Sequence, residues 1–167
     1  MRKTWHETGR GAPGAAPAGR GRGRGTGDGF SEPFQTILLT EVIPMIAATS
    51  RTISDREHRG MAGLSMGGMQ THTITTAHPD LFSHMAPFSG GVITPREVGD
   101  AKAFDEKVKV LFISPGTREN PANARASHAA LNAAGVKNHY CEAPGTAHEW
   151  HTWRKSLYEF AQLLFRD

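Results

Sequence analysis

Three residues far apart in the chain have types and surroundings suited to nucleophilic chemistry. Ser65 lies in Gly63-Leu64-Ser65-Met66-Gly67-Gly68, a G-x-S-x-G pattern with a further glycine behind it. An apolar run, Met61 to Leu64, leads in, and a helix-forming stretch follows. A strand that turns sharply into a helix holds a serine at its apex in this way, as a nucleophile elbow, and small neighbours leave room for the turn. A serine hydroxyl is a weak nucleophile until a base takes its proton. His148, in the loop Pro144-Gly145-Thr146-Ala147-His148, is the candidate base. A carboxylate must then hold the imidazole tautomer and stabilise the imidazolium that forms. Glu119, in Gly116-Thr117-Arg118-Glu119, is the candidate acid. Asp100 and Asp105 are rivals, but both precede the strand that Glu119 follows. The chemistry such a set performs is acyl transfer through a covalent intermediate on Ser65.

The elements that must position these residues can be read in outline. Ser31-Glu32-Pro33 has the form of a helix start, with a capping serine and an early proline. Phe34, Ile37, Leu38, Val42, Met45 and Ile46 then fall on one face, and Pro44 predicts a kink or a local break of the helix. A short strand over Gly60–Leu64 is followed by a helix over Met66–Ala77. Further strands are expected at Phe82–Phe88, Lys107–Ser114 and Val136–Ala143. Residues 92–106 read as irregular. Pro121–Ala134 reads as a helix. The last helix runs from about Glu149 to Phe165, with Trp153, Leu157, Phe160, Ala161 and Leu164 on one face. Alternating strands and helices predict an α/β fold, a parallel sheet covered on both sides. In such sheets sites form beyond the carboxyl ends of the strands, and Ser65, Glu119 and His148 each lie just past one.

Length and charge bound the alternatives. At 167 residues the chain suffices for one domain with a core. Residues 1–30 hold nine of the nineteen glycines and six basic residues against two acidic ones, a net of +4, which leaves −1 for the rest of a chain at +3 overall. This segment reads as a flexible Gly/Arg-rich linker, with the domain over 31–167. It lacks the interleaved aromatics of a nucleic-acid-binding tail, so no nucleic-acid partner is expected. No run is long enough to span a bilayer, and no apolar core of a secretory signal stands at the N-terminus. The protein stays inside, or a signal was removed or lies upstream. Cys141 is the single cysteine and reads as a small buried hydrophobe. His148-Glu149-Trp150-His151 is not H-E-x-x-H, because position 152 is threonine, and His72 and His78 are poorly spaced for one site. No metal and no cofactor are expected.

The order serine, acid, histidine is that of α/β-hydrolases. Asp55-Arg-Glu-His-Arg-Gly-Met-Ala-Gly-Leu-Ser-Met-Gly-Gly68 resembles the elbow of the esterase D-like group, above all the feruloyl esterases of carbohydrate esterase family one that accompany bacterial xylanases. Ala143-Pro-Gly-Thr-Ala-His-Glu-Trp-His-Thr-Trp153 is similar to that family's histidine loop. Gly116-Thr-Arg-Glu119 matches its acid loop, where aspartate is usual. The resemblance covers about residues 31 to 167. It implies an α/β-hydrolase fold and hydrolysis of feruloyl or acetyl esters of plant xylan in a secreted or periplasmic setting. It also implies an oxyanion donor in the N–H of Met66. Trp150 and Trp153 become candidates for stacking on a ferulate ring or a sugar, with the buried face of the last helix the preferred reading for Trp153. The family's earlier strands and their histidine-glycine loop, which supply the other oxyanion donor, have no counterpart in residues 1–30. The resemblance is therefore to the C-terminal part of an esterase. The alternative reading is a weakly active or inactive hydrolase fragment that binds or self-associates, for example as a homodimer through an open sheet edge.

Overall fold

A computed structural model describes residues 28–166. The Gly/Arg-rich segment expected over residues 1–30 lies outside the described residues except for its last three, which begin the first helix.

That helix, α1, spans Asp28–Ile37 and passes through a π-helical turn, Leu38–Val42, into α2, Ile43–Thr49. One expectation is corrected here. Ser31 is not a cap but lies inside α1, buried. Pro44 locally interrupts the α-helix, as expected. It has no N–H to give the Thr40 carbonyl, and its ring would press on that carbonyl in a regular helix. The turn before it widens instead, so that the Ile43 N–H reaches the Leu38 carbonyl five residues back. The predicted apolar face exists but is open. Phe34, Ile37, Val42, Met45 and Ile46 are each more than a third exposed.

Four parallel strands follow, β1 (Gly60–Leu64), β2 (His84–Phe88), β3 (Val110–Ile113) and β4 (His139–Tyr140), in the spatial order β1-β2-β3-β4. Helix α3 (Met66–Ala77) connects β1 to β2. Residues 92–106, expected to be irregular, contain α4 (Pro95–Val98) and α5 (Ala101–Lys107). Their signals were polar caps rather than an apolar period. Thr94 and Glu97 form a reciprocal capping box, and Asp100 caps α5 through the Ala103 N–H at 2.7 Å. Lys107 therefore ends a helix and does not start a strand. Helix α6 (Ala122–Ala133) connects β3 to β4. β4 is shorter than predicted, yet its pairing runs on irregularly. The Cys141 N–H donates to the Ile113 carbonyl and the Ala143 N–H to the Pro115 carbonyl, both at 3.0 Å.

All five residues of β2 are buried, as expected of a strand covered on both faces. Side chains alternate between two cores. Met85, Leu111 and Ile113 pack with Phe104 of α5 and Leu131 of α6. Ala86, Phe88, Val110 and Phe112 pack on the other face with Phe160 of the last helix, α7 (Trp150–Ala161). Phe88 meets both Phe112 and Phe160 edge-on, with centroids 6.1 and 6.0 Å apart. The inner stripe of α7 is Thr152, Ser156 and Phe160, while Leu157 and Ala161 of the predicted face are exposed. The stripe was hidden because two of its members are polar. Their hydroxyls are satisfied inside, Ser156 by Ser114 at 2.7 Å and Thr152 by Thr146 at 2.7 Å.

His84 opens β2 and is buried. Ser83 Oγ donates to the Glu57 carbonyl at 3.0 Å, so His84 Nδ1–H donates to Ser83 Oγ at 2.7 Å and Nε2 accepts from the Phe165 N–H at 3.2 Å. Only the neutral ring satisfies both nitrogens. Burial lowers its pKa below the usual value, and the nearby Lys109 and His58 lower it further. The unfolded chain thus binds this proton at higher pH than the native one. The stability from His84 is complete above about pH 6.5 and falls as the pH drops from there toward the depressed native value. Thermal melts from about pH 8 to about pH 5 should show this loss, and His84→Phe should flatten it. Equal slopes in both proteins would exclude His84 as the cause.

Candidate active site

Ser65 joins β1 to α3 with φ 53° and ψ −115°, a left-handed backbone that is costly for a residue with a side chain. Its N–H donates to the Phe88 carbonyl and its own carbonyl accepts from the Met69 N–H, both at 3.0 Å. The sequence pattern is explained unevenly by the turn. A Cβ on Gly63 would lie 2.2 Å from the Gly67 carbonyl oxygen, and one on Gly68 2.7 Å from Gly90 Cα. A Cβ on Gly67 would meet nothing within 4 Å among the described residues. Gly63 and Gly68 are therefore required by close approach, and Gly67 is not.

Three loops converge on this turn. His148 Nε2 lies 2.7 Å from Ser65 Oγ, and His148 Nδ1 lies 2.5 Å from Glu119 Oε1. The consistent tautomer has Nδ1–H donating to the carboxylate and Nε2 accepting from the serine hydroxyl. Glu119 Oε2 accepts from the Gly116 N–H at 2.5 Å and from Ser89 Oγ at 2.8 Å. The carboxylate is thus enclosed, its side chain 10% exposed, while the imidazole is 51% exposed. The acid and histidine loops are stitched together. The Arg118 N–H donates to the Thr146 carbonyl at 2.8 Å, the Thr117 N–H to the Ala143 carbonyl at 3.1 Å, and the Gly145 N–H to Thr117 Oγ1 at 2.9 Å. The rivals are occupied elsewhere, Asp100 as the α5 cap and Asp105 on the Lys137 N–H at 3.1 Å.

Met66 is the first residue of α3, and the first N–H groups of a helix have no intrahelical acceptor. Its amide directly follows Ser65 in the chain. Trp150 is 73% exposed and borders an apolar recess of about 400 Å³ with Leu64, Phe88, Trp153 and Leu157. Trp153 is half-buried. Its ring meets His148 edge-on at 5.1 Å and Trp150 edge-on at 5.2 Å, and its Nε1–H donates to Ser89 Oγ at 3.2 Å. A second, more polar recess of about 360 Å³ lies past His148, lined by Ser89, Gly91, Asn120 and Asn123. In the sequence Ser89 carries no motif of its own. Its position just past the end of β2, on the same sheet edge as the other three, was the available signal.

Among the described residues no three His, Cys, Asp or Glu side chains are grouped to hold a metal. His72 bonds Glu97 at 3.0 Å and His78 bonds Gln35 at 3.1 Å, so these two histidines serve separate contacts. Cys141 is partly buried against the second core, and that burial raises its pKa, keeping it a thiol.

A parallel sheet flanked by helices, with a serine at positive φ between strand and helix, defines an α/β-hydrolase-type fold. Residues 12–163 match the family model described as "Putative esterase", and the chain belongs to that esterase family. An endo-1,4-beta-xylanase/feruloyl esterase of Xylanibacter ruminicola is 43% identical over 136 residues, which are 81% of this chain and 18% of that protein. Among solved structures, a CE1 ferulic acid esterase from Anaeromyces mucronatus in complex with ferulic acid superimposes with a TM-score of 0.66 at 22% identity, covering 83% of this chain and 56% of its own. A fluorophosphonate-binding serine hydrolase of Staphylococcus aureus superimposes with a TM-score of 0.64 at 16% identity, covering 78% of this chain and 63% of its own. The chain spans less than two thirds of the length of each of these relatives.

Proposed function

We propose that the chain is a serine esterase that hydrolyses feruloyl or acetyl esters of plant xylan through an acyl-enzyme on Ser65. The observation that carries this reading is the continuous hydrogen-bond path from Ser65 Oγ through His148 to Glu119. Ser65 Oγ attacks the ester carbonyl as its proton passes to His148 Nε2. The Met66 N–H donates to the carbonyl oxygen as negative charge forms on it. The tetrahedral intermediate collapses as His148 returns the proton to the departing alcohol. Water, deprotonated by His148, then releases the acid and restores Ser65. The apolar recess beside Trp150 fits an aromatic acyl group, and the polar recess past His148 fits a sugar alcohol. Turnover of methyl ferulate and of 4-nitrophenyl acetate by the purified chain tests the reading. Failure of a fluorophosphonate to label Ser65, together with no turnover, would overturn it.

A second reading, self-association, is favoured by one observation. β1 is one of the two edge strands of the described sheet, and the apolar face of α1 and α2 stands exposed beside it, bordering a groove that also takes in Ile53 and Phe82. Sedimentation should then give a concentration-dependent dimer that Met45→Glu returns to a monomer. A monomer at all concentrations removes this reading.

A further inference from the structure

We infer that Ser89 is a positioning residue for the acid. Its hydroxyl, oriented by the indole of Trp153, holds the Glu119 carboxylate in line with His148. The inference rests on the esterase reading above. An indole N–H can only donate, so at 3.2 Å it takes a lone pair of Ser89 Oγ and leaves the hydroxyl proton to Glu119 Oε2 at 2.8 Å. With the Gly116 N–H on the same oxygen, Oε2 carries two donors while Oε1 is left for His148. A glutamate has one more side-chain torsion than an aspartate, and this pair of donors fixes it.

The backbone supports the same role. Ser89 has φ 48°, in the left-handed region, and Asn120, directly after the acid, has φ 55°. A conformation of this cost persists only where its surroundings impose it. The Ser89 N–H is held by the Ser114 carbonyl at 3.2 Å. The next residue, Gly90, packs so closely on Gly68 of the elbow that a Cβ there would lie 2.4 Å from Gly68 Cα. One short turn after β2 therefore touches the nucleophile's turn through its backbone and the acid through its side chain. In α7, Trp153 serves the acid as well as the recess.

The test is a double-mutant cycle in the full chain with 4-nitrophenyl acetate. Ser89→Ala should lower kcat on the order of tenfold, as expected for a hydrogen bond to a charged group, with KM within about twofold. Trp153→Phe should lower kcat in the same direction. In a Glu119→Ala background Ser89→Ala should change nothing further. The His148 Nδ1 proton, observed by NMR without turnover, should be lost or shifted in Ser89→Ala and Trp153→Phe. An unchanged kcat with an unchanged proton resonance overturns the role. So does an equal loss of kcat in the Glu119→Ala background, which would make the effect independent of the acid. Full turnover by Ser65→Ala would overturn the esterase reading instead, so the two failures are distinct.

Discussion

Ser65→Ala should lower kcat for 4-nitrophenyl acetate by roughly 10⁶-fold, the loss seen when a serine hydrolase is deprived of its nucleophile. The size follows from the number of functions removed together. The covalent route disappears, and His148 loses the hydroxyl at 2.7 Å on which it acts as a base. What should remain is binding and the proposed charge stabilisation at the Met66 amide, a residual rate above the reaction in water. The substitution should leave the fold intact. The strain at φ 53° is borne by any residue with a Cβ, so alanine adds little to what serine already costs. The check is a steady-state assay paired with a thermal melt and fluorophosphonate labelling. A rate within tenfold of the parent at an unchanged melting temperature would rule out the acyl-enzyme.

Glu119→Gln should cost about 10⁴-fold in kcat, with KM little changed. The two side chains are nearly the same size, so the loss comes from hydrogen-bond polarity. Glu119 receives donors at both oxygens, from His148 on one side and from Gly116 and Ser89 on the other. Glutamine has one acceptor end and one donor end. The Gly116 N–H cannot reverse, so the amide oxygen turns toward it and the NH₂ group toward His148. The imidazole must then accept at Nδ1 and carry its proton on Nε2, where it can no longer take one from Ser65. Glu119→Asp keeps the polarity but shortens the reach and should fall between parent and glutamine. A glutamine variant as active as the parent would show that Glu119 is not the acid.

The residues that form the hydrogen-bonded path were legible because each sits in a short loop after an apolar strand, and loops of that kind announce themselves through glycine and proline. β1 and α3 were read to the residue, since an apolar run abutting Gly63 to Gly68 leaves few other choices. Elements held by side-chain caps were missed. α4 and α5 have almost no apolar period, and their starts rest on Thr94, Glu97 and Asp100. The inner stripe of α7 was misplaced because Thr152 and Ser156 are buried by hydrogen bonding to other hydroxyls. Ser89 was invisible for a related reason. Its part depends on the Trp153 indole 64 positions away and on Glu119 30 positions away, and no local pattern encodes either.

The simple succession of the strands has a consequence for how the protein is made. Among the described residues, β2, β3 and β4 each pair with the strand before them in the chain, so this part of the sheet can be laid down in the order of synthesis. The reactive centre does not share that order. The partner of Ser65 lies 83 residues further on, in the loop that only α7 closes. A nascent chain can therefore carry a finished elbow and a half-built sheet with the serine still inert. On the proposed mechanism, reactivity toward an ester or a phosphonate would report that α7 has docked.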